Sequence, residues 1–340
     1  MPEQSSRSTP VVVAQHPRAS ATDALEAAVD RAVLAPSLHN SQPWQFVMHP
    51  DRLEVRADRQ RHLPGIDPSG RGLVQSVGAA LFNARVALAA RGWAVEVERR
   101  PREDDRDLLA VVRLVDGPPD PELAVLDPVV ARRRTNRRTF DGTTPTDAEL
   151  RSFTAAAVAE DAVLVPVLTE EQHRLVARLT QQADAQQQAD PAYHAELEWW
   201  TNRPTAARDG IVGAAVPHVD GSAADDVPLR DFDTRGKGAL PASTGVGAER
   251  TLMVLGTRAD DDEAWLRSGE ALQRVLLEIT RAGWAVSPVT QAVEVDLTRR
   301  ELRAGLTWDT WPQSILRIGH AAATNPTPRR GRDEVLSTST

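Results

Sequence analysis

The chain has 340 residues, of which 41% are hydrophobic and 26% are charged, a composition typical of globular proteins. A chain of this length is expected to form about two domain-sized units, each able to bury its own core. The net charge of −8 argues against nucleic acid as a partner, and the lack of cysteine excludes disulfides, thiolate nucleophiles and cysteine-bound metals.

The hydropathy pattern argues against a membrane partner. No window approaches the roughly 18 consecutive apolar residues that a membrane-spanning helix needs. Residues 1–20 are polar, contain Ser and Pro, and lack the long apolar segment of a secretory signal. We therefore expect a mobile N-terminal tail over 1–20 and a cytoplasmic location.

The first half of the chain alternates helix and strand signals. Thr22-Asp23 predicts the cap of a helix that stops before Pro36. The spacing of Val77, Leu81 and further apolar residues predicts a second, longer helix, which Gly92 ends as a left-handed cap. The expected elements are helices over 24–34 and 75–91, strands over 44–48, 53–56, 94–98 and 109–114, and a linker over 116–121.

The second half adds helices and a long irregular segment. Residues 202–247 show little periodicity, so we interpret them as a loop or lid. The expected elements are helices from 146 and over 170–188, 193–200 and 265–281, strands over 252–255, after Trp284 and over 314–318, and an extended tail over 322–340. As domains, we expect a first half over 21–121, a second half over 122–335 with a helical and lid insertion at about 170–247, and a C-terminal tail over 336–340.

An internal repeat indicates how the two halves are related. The segment from Gly78 to Gly92 aligns without gaps on the segment from Gly269 to Gly283, at an offset of 191, and both end in Gly-Trp-Ala-Val. A weaker match pairs Thr22-Asp23-Ala24 with Thr146-Asp147-Ala148 at an offset of 124. Two capped helices can resemble each other by chance, but the shared ending exceeds what capping requires. The repeat predicts an α+β protein made of two related halves.

The first segment with chemical potential is APSLHNSQPWQF, residues 35–46. It places hydroxyl and amide groups in a loop between a helix and a strand, where backbone amides are free to bind a ligand. The alternative is an ordinary helix–strand connection. Ser37 has no local base, so it is interpreted as a hydrogen-bonding residue and not as a nucleophile.

The second such segment is RRRTNRR, residues 132–138, with five arginines in seven residues. Clustered guanidinium groups suit a phosphate monoester through bidentate, charge-assisted hydrogen bonds. The alternatives are a solvated basic run or a nucleic-acid patch of a regulatory protein, and the net negative charge disfavours the latter. The histidines lack metal-ligand spacing, and no dinucleotide-binding, P-loop or hydrolase motif is present.

These two segments closely resemble the APSxxNxQPW and RRSxR motifs of the nitroreductase family, with Thr135 in place of the serine. Members of that family are flavin-dependent oxidoreductases that bind FMN at a dimer interface. The resemblance covers about residues 22–335 and implies a nitroreductase-like fold. It also implies an FMN site formed by Pro36, Ser37, Leu38, Asn40, Gln42, Arg133, Thr135, Arg137, Pro288, Thr290, Gln291, Arg329 and Arg330.

The distribution of the motifs implies one FMN per chain. The first half has the PSxxN loop without the arginine motif, whereas the second half has the arginine motif, and Ala159–Ala162 stands where its loop would be. One complete site can therefore form across the two halves, so that a monomer acts as a fused dimer. This arrangement is similar to the Acg-type subfamily of actinobacteria, in which a lid-like insertion can cover the flavin.

The resemblance implies an enzyme in which FMN carries the redox chemistry and no protein residue is an essential acid or base. NAD(P)H would deliver a hydride and then be replaced by a small electron acceptor such as a nitroaromatic or a quinone, in a ping-pong cycle. The alternative is an FMN-sequestering protein with little turnover, in which residues 202–247 and Trp199-Trp200 form a lid over the flavin.

Overall fold

A computed structural model describes residues 19–204, 206–217, 227–240, 251–306 and 309–339. The first 18 residues of the expected N-terminal tail lie outside this range, as do parts of the expected lid. The described residues form an α+β protein with two separate sheets, one in each half of the chain.

The first half contains the alternating helices and strands that the sequence predicts. The side chain of Ser20, and not Thr22-Asp23, caps the first helix by accepting a hydrogen bond from the Asp23 amide at 3.1 Å. Gly92 has a φ of 81°, in the left-handed region expected of the cap. The elements are α1 (Ala21–Ala32), β1 (Trp44–Met48), β2 (Arg52–Ala57), α2 (Arg71–Ala90), β3 (Ala94–Arg99) and β4 (Leu108–Val115).

Six elements of the second half were not expected from the sequence: the helices Pro121–Ala124, Asp127–Val130, Gln291–Glu294 and Asp296–Leu306, and the strands Val163–Pro166 and Leu336–Thr338. The end of the expected linker is helical, because Asp120 caps a short helix that begins at Pro121. The elements are α3 (Pro121–Ala124), α4 (Asp127–Val130), α5 (Asp147–Val158), β5 (Val163–Pro166), α6 (Glu170–Gln188), α7 (Pro191–Thr201), β6 (Thr251–Thr257), α8 (Asp262–Arg281), β7 (Ala285–Val289), α9 (Gln291–Glu294), α10 (Asp296–Leu306), β8 (Trp311–Gly319) and β9 (Leu336–Thr338).

The two sheets share one topology. The first has the strand order β3-β4-β2-β1-β9, and the second, taken from its β7 edge, has the order β7-β8-β6-β5. All pairs are antiparallel except β1 with β9. Each sheet packs one face on its own long helix, α2 in the first half and α8 in the second. The repeat in the sequence therefore corresponds to a repeat of structure.

Helices α2 and α8 cross at the centre of the molecule, and a reciprocal pair of glycines permits the crossing. A Cβ atom on Gly78 would lie 2.1 Å from the Leu266 carbonyl oxygen, and one on Gly269 would lie 2.1 Å from the Gln75 carbonyl oxygen. The offset of 191 relates Gly78 to Gly269 and Gln75 to Leu266, so the two contacts are equivalent. The halves are related by an approximate twofold axis at this crossing. By length and composition α2 could also cross a membrane, but 83% of its apolar window is buried in the protein.

The expected C-terminal tail is wrong over residues 336–338, and Thr340 lies outside the described residues. Leu336–Thr338 forms strand β9, which pairs in parallel with β1 of the other half. The amide of Phe46 donates to the Val335 carbonyl oxygen at 2.8 Å, and the amide of Ser339 donates to Met48 at 2.9 Å. The segment after β8 therefore leaves the second half, crosses the molecule and completes the first sheet.

Candidate functional site

Two adjoining cavities lie between the halves. The first, the basic cavity, has a volume of about 160 Å³ and is lined by Arg133, Arg134, Arg137 and Arg329 among others. The second, the central cavity, has a volume of about 150 Å³ and lies against α2, β7, β8 and α9. Four residues, Pro36, Ser37, Thr135 and Arg137, line both cavities, so the two cavities together form one continuous site.

The structure brings together eleven of the thirteen residues that the sequence assigned to the site. Those in the basic cavity are Pro36, Ser37, Asn40, Arg133, Thr135, Arg137 and Arg329. Those in the central cavity are Pro36, Ser37, Leu38, Thr135, Arg137, Pro288, Thr290 and Gln291. The two exceptions are Gln42 and Arg330, which line neither cavity.

Gln42 and Arg330 bind each other next to the site. The Arg330 amide donates to Gln42 Oε1 at 2.8 Å, and the Arg330 guanidinium donates to the Gln42 carbonyl oxygen at 3.2 Å. Gln42 is fully buried and also donates through Nε2 to the Arg208 carbonyl oxygen at 2.7 Å. This pair therefore connects the loop after α1 to the chain segment that leads to β9.

The arginine motif is a segment without helix or strand that Asn136 holds in place. The Asn136 amide donates to the Val286 carbonyl oxygen of β7 at 2.9 Å, and its side chain donates to the Ala322 carbonyl oxygen at 2.9 Å. Arg133, Arg134, Thr135 and Arg137 all line the basic cavity, while Asn136 anchors the segment to β7 and to the chain after β8.

The basic cavity concentrates positive charge that no carboxylate of the described residues neutralises. Arg133 is buried, and its Nε and Nη1 atoms have no hydrogen-bond partner among the described residues. Burial, with further lowering by Arg329 and Arg134, reduces the pKa of Arg133 to about 9. Burial likewise lowers the pKa of Arg137 and of Arg329 to about 10 each. Such a cavity is suited to an anion.

Two of the four amides in the PSLHN loop, and the amide of Gln42 after it, already have partners, so fewer amides are free than expected. The amide of Leu38 donates to Ser76 Oγ at 3.2 Å, that of Asn40 to the Ser37 carbonyl oxygen at 3.0 Å, and that of Gln42 to Ser37 Oγ at 2.9 Å. His39, Asn40 and Gln42 have φ values of 48°, 56° and 53° in this tight turn. The loop can therefore offer side-chain groups, the Ser37 hydroxyl hydrogen and apolar surface to a ligand, and not these amides.

The central cavity has mixed polar and apolar walls. Leu38, Leu229, Phe232, Leu272 and Pro288 provide apolar surface. The hydroxyl oxygens of Ser287 and Ser314, on adjacent strands, are buried without a partner among the described residues. Such walls fit a flat, polar-edged ring system with a charged group extending into the basic cavity.

Several residues that line the central cavity were not expected from the sequence. Arg71 is buried at the start of α2 and donates to the Gln313 carbonyl oxygen at 2.9 Å. Its pKa is lowered to about 10 by burial and then by Arg299. Arg71 belongs to no sequence motif, so only the packing of the helices shows that it lines the cavity. His39 could have been noticed because it lies inside the PSLHN motif.

The expected lid contributes to both cavities through its described parts. Ile211 and Ala215 line the basic cavity, and Leu229, Arg230 and Phe232 line the central one. Arg230 is buried and bonded to Glu294. The Arg137 guanidinium lies 4.6 Å from the centre of the Phe232 ring, within range of a cation–π interaction. Within the described part of the chain, no three His, Asp or Glu side chains converge to hold a metal ion.

The fold and the site define a two-half α+β protein with one extended site, basic at one end, across its halves. The chain is 34% identical over 314 residues to Rv3131 of Mycobacterium tuberculosis, named as a putative NAD(P)H nitroreductase, covering 90% of this chain and 88% of that protein. It is 32% identical over 323 residues to the acg protein of the same organism, which has the same description, covering 93% and 96%. The chain belongs to the nitroreductase family.

Three further comparisons do not bear on this membership. The chain is 33% identical over 339 residues to the uncharacterized protein Rv3127 of M. tuberculosis, covering 92% of each. A solved nitroreductase with bound FMN from Desulfitobacterium hafniense is 16% identical, with a TM-score of 0.40, and covers 63% of this chain and 98% of its own. No family model matches the chain.

Proposed function

We propose that this protein is a cytoplasmic, FMN-dependent oxidoreductase of the nitroreductase type. It accepts electrons from NAD(P)H and transfers them to a small electron-poor acceptor, such as a nitroaromatic or a quinone. The observation that carries the proposal is the buried, unneutralised Arg133 at one end of a site whose other end has mixed polar and apolar walls. FMN has this division, with a phosphate at one end and a flat ring at the other.

The residues present fit FMN at both ends. Arg133, Thr135, Arg137 and Arg329 would hold the phosphate, because their guanidinium and hydroxyl groups converge in the basic cavity. The ring would lie in the central cavity against Pro36, Ser37, Leu38, Pro288, Thr290 and Gln291, with Asn40 lining the adjoining basic cavity and with Gln42 and Arg330 supporting the loop from behind. FMN supplies two-electron redox chemistry when bound, and the protein supplies binding, orientation and electrostatics.

Positive charge around the central cavity supports a redox role. Arg71, Arg137 and Arg230 all line this cavity. Cations near the ring stabilise the negative charge that reduction adds, and this effect is strong where water is excluded. The donor and the acceptor would use the same cavity in turn, which is the structural condition for a ping-pong cycle. We assign no acid or base to the protein in this cycle.

A buried ionic cluster supports one FMN per chain and a monomer that acts as a fused dimer. Three residues that line the central cavity, Pro36, Ala79 and Thr290, have counterparts in the other half at the repeat offsets of 124 and 191. These counterparts are Glu160, Glu270 and Arg99 respectively. These counterparts do not line a cavity of this kind: Arg85 bonds to both Glu160 and Glu270, and Arg99 bonds to Glu270 at 2.6 Å. Both carboxylates are at most 3% exposed. Charged side chains thus fill the position of a second site.

Visible absorbance of the purified protein tests the proposal. We expect flavin bands, either as isolated or after addition of FMN, that bleach when NADPH or NADH is added without oxygen and return when a quinone or nitroaromatic is added. A protein that takes up no FMN would contradict the whole proposal. Flavin that bleaches with dithionite but with neither nicotinamide would contradict the enzymatic part.

A second candidate function, FMN sequestration, is favoured by the cover over the central cavity. Phe232 and Arg230 line the cavity from the expected lid segment, and Gln291 donates to the Pro228 carbonyl oxygen at 3.2 Å. If this cover limits turnover, Phe232→Ala should raise NAD(P)H oxidation several-fold, whereas Trp199→Ala, at a residue 62% exposed, should not. Equal rates for both variants with FMN retained would count against occlusion.

A further inference from the structure

His39 occupies an unusual position in the wall of the central cavity. It lies in the PSLHN loop, is 5% exposed and has a φ of 48°. Its Nε2 atom is 2.9 Å from Nη1 of Arg230, and its ring meets the Phe232 ring edge-on at 5.5 Å. The loop therefore holds the imidazole in one orientation, between the expected lid and the cavity.

The contact with Arg230 determines which imidazole nitrogen carries the hydrogen. A guanidinium group only donates hydrogen bonds, so Nε2 of His39 must be the acceptor. The hydrogen of the neutral ring is then on Nδ1. Nδ1 is buried and has no partner among the described residues. A buried N–H without a partner is unfavourable, so the arrangement calls for a hydrogen-bond acceptor in the cavity.

The electrostatic surroundings keep the ring neutral. Burial, followed by the nearby charges of Arg230 and Arg137, lowers the pKa of His39 well below its ordinary value of about 6.5. The carboxylate closest in this network, Glu294, is bonded to Arg230 and to Gln187, whose Nε2 donates to it at 2.8 Å. Glu294 therefore anchors Arg230, which in turn orients His39.

We propose that His39 presents its Nδ1–H as a fixed hydrogen-bond donor to an oxygen or nitrogen acceptor atom in the central cavity, and that Arg230 is the positioning residue that selects this tautomer. The inference rests on the proposed function, because the acceptor atom belongs either to the flavin ring or to the nitro or quinone group of the substrate. In both cases the donor stabilises negative charge that builds up during electron transfer.

The tautomer can be measured without turnover. In protein labelled with ¹⁵N-histidine, two-bond ¹H–¹⁵N correlations distinguish Nδ1–H from Nε2–H rings, and His39→Asn identifies the signal among the eight histidines. We expect Nδ1–H in the wild type and a shift toward Nε2–H in Arg230→Met. An Nε2–H ring in the wild type would overturn the proposal. This readout does not require bound FMN, so its failure is separate from failure of the proposed function.

Paired substitutions identify the acceptor. His39→Gly and His39→Asn both tolerate the positive φ, but only Asn retains an N–H donor. We expect kcat/KM for the acceptor to fall about tenfold in His39→Gly, which is the effect of losing one hydrogen bond to a charged group. In His39→Asn it should stay within threefold of the wild type. A change in flavin spectrum and reduction potential assigns the bond to the ring. A change only in kcat/KM for the acceptor assigns it to the substrate. If His39→Gly equals the wild type in potential and in acceptor kcat/KM, the proposal is wrong.

Discussion

Arg133 shows how a single residue can favour ligand binding while lowering the stability of the ligand-free protein. Its guanidinium has no carboxylate partner among the described residues, and burial lowers its pKa to about 9 in the folded chain, well below its value in an unfolded one. Between the folded and the unfolded pKa the unfolded chain binds more protons, so stability rises with pH across that window. Below pH 9 the arginine is charged in both states and the full cost of burial is present. A bound phosphate would offset that cost.

Replacing Arg133 with Met should therefore separate binding from stability. We expect FMN affinity to fall by roughly 10- to 100-fold, the effect of losing one or two charge-assisted hydrogen bonds. The FMN-free variant should unfold at a temperature equal to or above that of the wild type. Arg132→Met, at an exposed neighbour, is the matched control and should change affinity by less than threefold. Fluorescence titration and thermal unfolding provide the measurements, and equal affinities in the two variants would count against the phosphate site.

Tyr193 gives a pH-dependent prediction at the same scale. Burial is the main cause that raises its pKa to about 12, and its hydroxyl has no partner among the described residues. The folded chain then holds this proton more tightly than the unfolded one, whose pKa is about 10. Its contribution to stability is complete below pH 10 and is lost as pH rises toward 12, by roughly 2 to 3 kcal/mol. The free energy of unfolding, measured by chemical denaturation, should fall less between pH 9 and pH 11.5 in Tyr193→Phe than in the wild type. Equal falls in the two proteins would refute this.

At the scale of elements, the α2–α8 crossing depends on the absence of two side chains. Gly78→Ala would introduce a methyl group 2.1 Å from a backbone oxygen, which cannot rotate away. We expect the helices to separate and the free energy of unfolding to fall by about 1 to 3 kcal/mol or more. Arg267→Ala, a partly exposed ion-pair residue of α8, should cost no more than about 1 kcal/mol. Comparable unfolding curves for the two variants would show that the crossing tolerates the methyl group.

Strand β9 connects the fold to the site. Arg329 and Arg330 lie in the segment between β8 and β9, and Arg330 bonds Gln42 behind the PSLHN loop. Truncation after Val335 removes the pairing of β9 with β1, so this segment should lose its anchor. We expect FMN affinity to fall by about tenfold and thermal stability to decrease. Thr338→Ala retains the strand and should bind FMN normally. Normal affinity in the truncated chain would show that the segment is held without β9.

At the scale of the whole molecule, the two halves repeat one arrangement of sheet and helix, and we propose that they share a single FMN site. The reciprocal contact of Gly78 and Gly269 is kept, but Glu160, Glu270 and Arg99 fill the position equivalent to the proposed site. Buried ion pairs of this kind are costly to disrupt, so a cofactor could not readily displace them from this position. We expect one FMN per chain when released flavin absorbance is compared with protein concentration. A ratio of two would refute this account of the ionic cluster.

The sequence by itself determined the repeat of two related halves and most of the elements. Capping residues, apolar spacing and the Gly-Trp-Ala-Val repeat act locally, so they identified α2, α8 and their left-handed ends. The motifs also named residues that the structure brings together, because residues close together in a short segment such as 132–138 stay close in space. Ser20 was missed because Thr22 and Asp23 are equally good capping residues, and β5 was missed because it is only four residues long.

Only the tertiary structure decided the features that depend on distant partners. The tail became β9 because β1 has an unpaired edge in the other half, which no local pattern reveals. Arg71 and Arg230 became cavity residues because α2 and residues 227–240 pack across the chain. The amides of Leu38 and Asn40, which were expected to be free, are bonded to Ser76 and within the turn. Local sequence sets conformational preference, whereas the partner of a buried polar group is set by the folded chain as a whole.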